Sequence, residues 1–166
     1  VPEYVLTLEI GKKLRSELKR RGYRVAMTRT KHDVNVSNME RAQFATFVGG
    51  EISVRLHADG ANSSSVNGAT ALVPSASNPY IPQLAAPSSS LASDVLSSYC
   101  AKTGFRSRGI SANDTMTGIN WSTVPVMILE MGFMTNPTDD TNMQNPDMQN
   151  KMAQGIADGI DAYSSK

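Results

Sequence analysis

Two ionisable residues stand at the ends of segments predicted to be β-strands. In residues 52–57 apolar and polar side chains alternate, which is the pattern of a half-buried strand, and the last residue is His57. Residues 124–129 form an apolar run typical of a strand buried on both faces, and Glu130 follows directly. Because open α/β sheets bind ligands beyond the carboxyl ends of their strands, both side chains are predicted to lie at such an edge.

These residue types suit metal-dependent acid–base chemistry. A catalytic zinc site takes about three protein ligands and keeps one position open. His57 is a candidate ligand, and Glu3, at the start of the first predicted helix, is a candidate carboxylate ligand. Glu130 is a candidate base, since a carboxyl group behind apolar strand residues is partly desolvated and its pKa rises. Two simpler interpretations stay open: a hydrogen-bonded structural histidine, and a glutamate favoured by the helix macrodipole.

Helices and strands are predicted to alternate along the chain, without internal repeats. The predicted helices are 3–22, 37–50, 91–104 and 148–163, and the predicted strands are 23–29, 52–57, 68–74 and 124–130. Residues 75–90, with three prolines among serines, are predicted to be a surface connection, and residues 106–121 an irregular stretch in which short strands are an open alternative. The alternation predicts an α/β fold, a three-layer αβα sandwich around a mostly parallel twisted sheet. The length predicts one domain, residues 1–166.

Composition excludes several classes of function. A formal net charge of +1 with 19% charged residues argues against a nucleic-acid interface. The single cysteine, Cys100, allows no internal disulfide and no cysteine-rich metal cluster, and it lies on an apolar helical stripe. No apolar run is long enough to span a bilayer, so we expect no membrane insertion. We expect the protein to act as a monomer.

Three segments carry a resemblance to a known family. Residues 124–137, with the sequence VPVMILEMGFMTNP, are the most specific, and residues 2–29 and 38–60 support them. Together they resemble the zinc-dependent N-acetylmuramoyl-L-alanine amidases of the amidase_3 type, over nearly the whole chain. Such enzymes cut the amide bond between the lactyl group of muramic acid and the first alanine of the peptidoglycan stem peptide.

The resemblance implies roles for individual residues. It makes Glu3 and His57 zinc ligands and Glu130 the catalytic carboxylate, which takes the proton of the attacking water and passes it to the leaving alanine nitrogen. It also implies that the substrate is peptidoglycan. Because peptidoglycan lies outside the membrane, the expected location is extracytoplasmic, secreted or associated with the cell wall, as for an autolysin.

The chain departs from the family pattern in two ways, by a missing histidine and by a changed strand motif. The family's first zinc ligand is a histidine upstream of the glutamate, and we expect it to lie before Val1. With two ligands only, this chain is predicted to hold zinc weakly or not at all. His32, in the loop after the predicted strand 23–29, is either a solvated loop residue or a residue that approaches the metal. Arg55 replaces a small residue and Asp59 replaces an asparagine; Arg55 is expected to pair with a carboxylate or to bind an acidic group of the stem peptide.

The sequence contains no specific motif for the residues that line a substrate groove. Arg55, Asn113 and Asn120 are candidate substrate-binding residues, the last two in the irregular stretch before the Glu130 strand. Trp121 in the same stretch is either an exposed contact for glycan or peptide or, as we expect, a core anchor.

Two other functions compete with the amidase prediction. The first is a non-catalytic relative that has lost its metal and binds cell-wall peptide or regulates another protein. The missing histidine favours this alternative, whereas the intact segment 124–137 argues against it. The second alternative is another metal-dependent amidohydrolase or a carboxypeptidase on a similar α/β fold. Such an enzyme would share the zinc ion and a glutamate with this family, but not the whole segment 125–136.

Overall fold

The computed structural model describes residues 1–31, 40, 44–45 and 49–166. The helix predicted over 37–50 falls largely outside these residues, and so does His32. The described elements, in chain order, are α1 (Glu3–Arg20), β1 (Ser53–His57), β2 (Ala69–Val73), a 3-10 turn (Pro82–Leu84), α2 (Ala85–Thr103), β3 (Ser107–Ala112), α3 (Thr117–Asn120), β4 (Val126–Glu130), α4 (Pro137–Gln144) and α5 (Pro146–Ser164).

Helix α1 forms where an apolar stripe recurs every fourth residue. The stripe is buried and consists of Leu6, Ile10, Leu14 and Leu18. The helix begins after Pro2, whose fixed φ suits a helix start, and it carries Glu3 in its first turn. It ends just before Gly22, which adopts the left-handed conformation with a φ of 94°. The predicted helix is therefore confirmed, and Glu3 stands at its first position.

The four strands form one mixed sheet in the order β1-β4-β2-β3. β1 pairs with β4 in parallel, and β2 pairs with β3 in parallel. β2 and β4 pair antiparallel, so that Thr70 lies opposite Glu130. The carboxyl ends of β1 and β4 and the amino ends of β2 and β3 therefore share one edge of the sheet, which we call the active edge. The α/β class with a mostly parallel sheet is confirmed.

The core lies on both faces of this sheet. α1, α2 and α5 cover one face, where Met127 and Leu129 of β4 point. The other face is covered by the 3-10 turn and α3, and there Ile119 packs with Val126 and Ile128. All of these side chains are fully buried. Strand β4 is thus buried on both faces, as its continuous apolar run predicts.

Helices α2 and α5 cross at a very close distance. Gly155 and Gly159 of α5 face the backbone of α2, and a β-carbon at Gly159 would lie 2.4 Å from the Cα of Val95. Only a residue without a side chain permits this approach. The crossing fixes α2, whose Tyr99 then reaches the segment after β4.

Several local predictions differ from the structure. Residues 23–29 form no strand, and together with β1 they line a cavity of about 650 Å³. The connection predicted over 75–90 ends early, because α2 already begins at Ala85, with Pro87 tolerated in its first turn. Within the described part of the chain, no helix is both long and apolar enough to cross a membrane.

Candidate active site

Strand pairing brings the two predicted residues together at the active edge. His57 is the last residue of β1 and lies directly opposite Glu130, the last residue of β4. His57 Nδ1 is 4.0 Å from Glu130 Oε1. Immediately beyond the pair, the backbone N–H of Met131 donates a 2.9 Å hydrogen bond to the carbonyl of His57. Backbone hydrogen bonds therefore set the distance between the imidazole and the carboxylate.

The start of α1 delivers Glu3 to the same point. Its Oε1 lies 3.5 Å from His57 Nδ1. The same oxygen accepts a hydrogen bond of 3.1 Å from the backbone N–H of Ala58, the residue after His57. Glu3 therefore does more than occupy the favourable end of a helix dipole, because its side chain bridges α1 and the end of β1.

Glu130 lies in a partly desolvated position, with 14% of its side chain exposed. Burial, followed by the side-chain hydrogen bond with Asp59 and the charges of Asp59 and Glu3, raises the pKa of Glu130 to about 8. The backbone N–H of Asp59 opposes this rise by donating a 3.4 Å hydrogen bond to Glu130 Oε2. A carboxyl group with this pKa exchanges protons near neutral pH, which is what a general acid or base requires.

Asp59 belongs to the site, although the sequence marked it only as a departure from a family pattern. Donor atoms of Glu3, His57 and Asp59 all lie within 4.8 Å of one another. The sequence signal that identifies Asp59 is its position two residues after a strand-terminal histidine, which keeps it at the same edge. The proximity of Asp59 to Glu3 could not be predicted, because the two residues are far apart in the sequence.

The donor chemistry of this cluster fits a divalent metal ion. One imidazole and two carboxylates are ligand types that zinc accepts, at bond lengths of about 2.0–2.2 Å. Tetrahedral coordination at those lengths separates two donors by about 3.4 Å. The 3.5 Å separation of Glu3 Oε1 and His57 Nδ1 matches this spacing.

Arg55 lies two residues before His57 on β1, and its guanidinium packs on the short helix α3. A β-carbon placed on Gly118 would fall 1.1 Å from Arg55 Nη1, so the arginine occupies the space that any side chain at 118 would need. Opposite Arg55 on β4 stands the buried Ile128. Alternation along the strand puts Arg55 and His57 on the same face of the sheet.

The structure does not bring Asn113 and Asn120 to Glu130. β3 runs antiparallel to β4, so the segment after β3 begins at the opposite edge of the sheet, and α3 lies there before β4 starts. Asn120 accepts a hydrogen bond from the buried Asn78 and donates one to the carbonyl of Asp114. The substrate-binding role of Asn113 and Asn120 therefore stays a prediction that the geometry of this site does not support.

Trp121, expected to be a core anchor, lies instead at the surface with 47% of its area exposed. It follows α3 immediately and ends that helix. The apolar core beneath α3 is filled by Ile119 instead. The expectation for Trp121 was wrong because a large aromatic residue in an irregular stretch carries no periodicity that would show which way it points.

Two buried polar residues hold the segment that follows Glu130. The hydroxyl of Tyr99 donates a 2.8 Å hydrogen bond to the carbonyl of Met131. The carboxylate of Asp139 accepts hydrogen bonds from the backbone N–H groups of Gly68 and Phe133, at 2.9 and 3.0 Å. These contacts tie the chain on both sides of the active edge to α2 and α4.

Comparison with known proteins gives a consistent result. The family Amidase_3, described as N-acetylmuramoyl-L-alanine amidase, matches residues 1–162. The probable cell wall amidase LytH of Staphylococcus aureus is 28% identical over 159 residues, which are 96% of this chain and 49% of that protein. The chain thus spans about half the length of this curated relative.

Solved structures show the same fold. An N-acetylmuramoyl-L-alanine amidase from Clostridium difficile 630 is 26% identical with a TM-score of 0.89, and the match covers 100% of this chain and 86% of that one. The catalytic domain of CwlV, an N-acetylmuramoyl-L-alanine amidase from Bacillus (Paenibacillus) polymyxa var. colistinus, is 28% identical with a TM-score of 0.85, covering 98% and 85% of the two chains.

Proposed function

Because the chain belongs to the Amidase_3 family of N-acetylmuramoyl-L-alanine amidases, we propose that it hydrolyses the amide bond between N-acetylmuramic acid and L-alanine in bacterial peptidoglycan. The observation that carries the proposal is the register pair of His57 and Glu130 at the active edge, with Glu3 beside the imidazole. Such a substrate implies action outside the membrane, in keeping with the cell wall amidase named among the relatives. The protein would be secreted or associated with the wall, as an autolysin is.

Glu3 and His57 are the proposed zinc ligands. When bound, zinc polarises the amide carbonyl and makes water a better nucleophile at neutral pH. Glu3 is oriented for this role by the N–H of Ala58, and His57 by its place at the end of a paired strand.

Glu130 is the proposed proton carrier. As a carboxylate it takes one proton from the attacking water, whose oxygen bonds to the lactyl carbonyl carbon. Glu130 then gives that proton to the amide nitrogen as the carbon–nitrogen bond breaks. The products are a free lactyl carboxyl group and a stem peptide with a free alanine amino group.

Arg55 of β1 is the proposed substrate-binding residue. It lies two residues before His57 and on the same face of the sheet, and a planar guanidinium pairs well with a carboxylate. Stem peptides carry carboxyl groups. The proposal assigns Arg55 to one of these groups.

The test is cleavage of purified peptidoglycan by zinc-supplemented protein, with products identified by mass spectrometry. We compare the wild-type chain with Glu130→Gln, which keeps the size of the side chain and removes its proton-carrying group. The wild type is expected to release lactyl carboxyl and alanine amino ends. Glu130→Gln is expected to lose activity by about 100-fold or more while binding zinc as the wild type does.

The alternatives give different results in the same assay. Release of terminal amino acids would indicate a carboxypeptidase. Binding of peptidoglycan without any cleavage would support a non-catalytic wall-binding or regulatory protein. Unchanged activity in Glu130→Gln would refute the role of this glutamate.

A further inference from the structure

Arg108, near the start of β3, lies at the active edge on the side of Glu130 away from Arg55. The sheet order is β1-β4-β2-β3, so Arg55 and Arg108 belong to strands on opposite sides of β4. We propose that Arg108 binds a carboxylate of the stem peptide two or three residues beyond the scissile amide, and so determines which stem peptides the site accepts. The inference rests on the proposed function, which identifies the stem peptide as the ligand, and it adds a specificity-determining residue to it.

An irregularity in the pairing of β2 and β3 orients Arg108. The register shifts by one residue, so that Arg108 and Gly109 together stand opposite Thr70. The residue before Arg108 pairs with the core-facing Ala69, so alternation along the strand places Arg108 on the opposite face. Thr70 and Glu130, which pair with each other, lie on that face as well. Gly109 permits the irregularity, because its φ of 85° lies in the left-handed region that favours glycine.

The guanidinium of Arg108 is held in place without being neutralised. Its Cζ lies 5.5 Å from the centroid of the Phe133 ring, in a cation–π arrangement. Nη1 also donates a long hydrogen bond of 3.5 Å to the carbonyl of Asn67. In the part of the chain that the structure describes, no carboxylate forms an ion pair with this arginine. Because the residue is exposed, its charge and its other N–H donors are available to a ligand.

The separation of Arg108 from Glu130 matches the length of an extended peptide. β3 is two strands away from β4, and neighbouring strands lie about 4.8 Å apart, so the two residues are about 10 Å apart across the sheet. An extended peptide advances about 3.3 Å per residue, so a carboxyl group two or three residues beyond the scissile amide lies about 7–10 Å from it. Arg108 can therefore meet such a group while the amide lies beside Glu130.

A carboxylate is the ligand that suits this arrangement best. A guanidinium binds a carboxylate through two parallel N–H···O hydrogen bonds, and stacking on Phe133 restricts the plane in which those donors lie. Glu3 and Asp59 make the centre of the site acidic, so a positive charge at its rim offsets their repulsion of an anionic peptide. A carboxamide has nearly the same size as a carboxylate but lacks the charge, so it should bind less tightly.

The test is calorimetric titration of a free stem tripeptide, the expected product, into the wild-type chain and into Arg108→Gln. The peptide is used with free carboxyl groups and with each carboxyl group converted in turn to a carboxamide. The wild type is expected to bind the free form about 10-fold more tightly than one of the carboxamide forms. Arg108→Gln is expected to lose this preference. Arg108→Lys keeps the charge without the planar fork of donors and should retain only part of it.

Two further variants separate a specific contact from general attraction. Arg106→Gln is the matched control, because it removes the same charge from an exposed arginine two residues earlier, and it should keep the preference. Phe133→Leu removes the ring beneath the guanidinium and should weaken binding of the free form by about 2- to 5-fold. In cleavage of the corresponding muramyl peptides, Arg108→Gln should raise KM for the free form and leave kcat nearly unchanged.

Equal binding of all peptide forms by the wild type would overturn the inference. A preference that survives in Arg108→Gln, or that Arg106→Gln reduces to the same extent, would overturn it as well, because general attraction of anions would then explain the result. Cleavage of muramyl peptides without any carboxyl preference would keep the proposed function and remove the role of Arg108. A preference that depends on Arg108, in a protein that cleaves nothing, would keep that role and refute the proposed hydrolysis.

Discussion

The raised pKa of Glu130 makes the stability of the metal-free protein depend on pH. In the unfolded chain this carboxyl group ionises near its ordinary pKa of 4.5, and in the folded site its pKa is about 8. Below pH 4.5 both states carry the proton, so the group has no effect. Between pH 4.5 and 8 the unfolded state loses its proton first, which stabilises the unfolded chain. The free energy of unfolding therefore falls as pH rises through this window. The full destabilisation caused by burying Glu130 is present above pH 8.

The size of the effect follows from the two pKa values. Each unit of difference corresponds to 1.36 kcal/mol, which sets an upper bound of about 5 kcal/mol. The site is open to solvent at Asp59, and screening reduces electrostatic contributions of this kind, so we expect about 2 kcal/mol. Glu130→Gln cannot ionise, and at pH 8.5 it should be more stable than the wild type by that amount. At pH 4 the two proteins should be equally stable.

The assay is urea unfolding in the presence of a chelator, followed by circular dichroism from pH 4 to pH 9. The control Glu51→Gln removes a carboxylate outside the cluster and should follow the wild-type curve. Asp59→Asn removes one cause of the raised pKa and should show a smaller fall than the wild type. If the stability of the wild type relative to Glu130→Gln stays constant over this range, Glu130 has an ordinary pKa and the desolvation argument is refuted.

Three further predictions concern the frame of the site and are each checked by the free energy of unfolding. Tyr99→Phe leaves the buried carbonyl of Met131 without its donor and should cost about 1–3 kcal/mol. Gly159→Ala places a β-carbon 2.4 Å from the Cα of Val95, and the forced separation of α2 and α5 should cost about 1–3 kcal/mol; an unchanged value would mean that the crossing is looser than described. Asp139→Ala removes an acceptor shared by two backbone N–H groups and should cost about 2–4 kcal/mol, with Asp139→Asn losing less.

The elements around the site were predictable because their patterns are strong. Apolar residues at every fourth position predicted α1, and the continuous apolar run before Glu130 predicted β4. Strand-terminal placement also predicted that His57 and Glu130 share an edge. The pairing of these two residues in exact register needed the structure, because hydrophobic patterns do not determine which strands are neighbours.

Strand direction was the main feature that the sequence concealed. A strand has the same alternating pattern whichever way it runs, so nothing in residues 69–73 reveals that β2 is antiparallel to β4. The reversal places the end of β3, and with it Asn113, at the far edge. Asn120 lies there as well, because it precedes the start of β4, which is the end of that strand opposite Glu130. The place of Asp59 in the site was also not predictable, because Glu3, which lies beside it, is distant along the chain.

The reversed β2 also determines where this chain has room for insertions. β1 ends and β2 begins at the same edge, so residues 58–68 connect them without crossing the sheet. The two ends of this loop are anchored, at Ala58 by Glu3 and at Gly68 by Asp139, and the side chain of Asn136 donates a 2.9 Å hydrogen bond to the carbonyl of Ser64. The residues around Ser64 are nevertheless exposed. Lengthening a flexible loop is inexpensive, at about 0.6 kcal/mol for each doubling of its length. Insertions at the tip can thus reshape the rim of the site, for natural diversification or for engineering of substrate preference, while the strands that hold the chemistry stay in place.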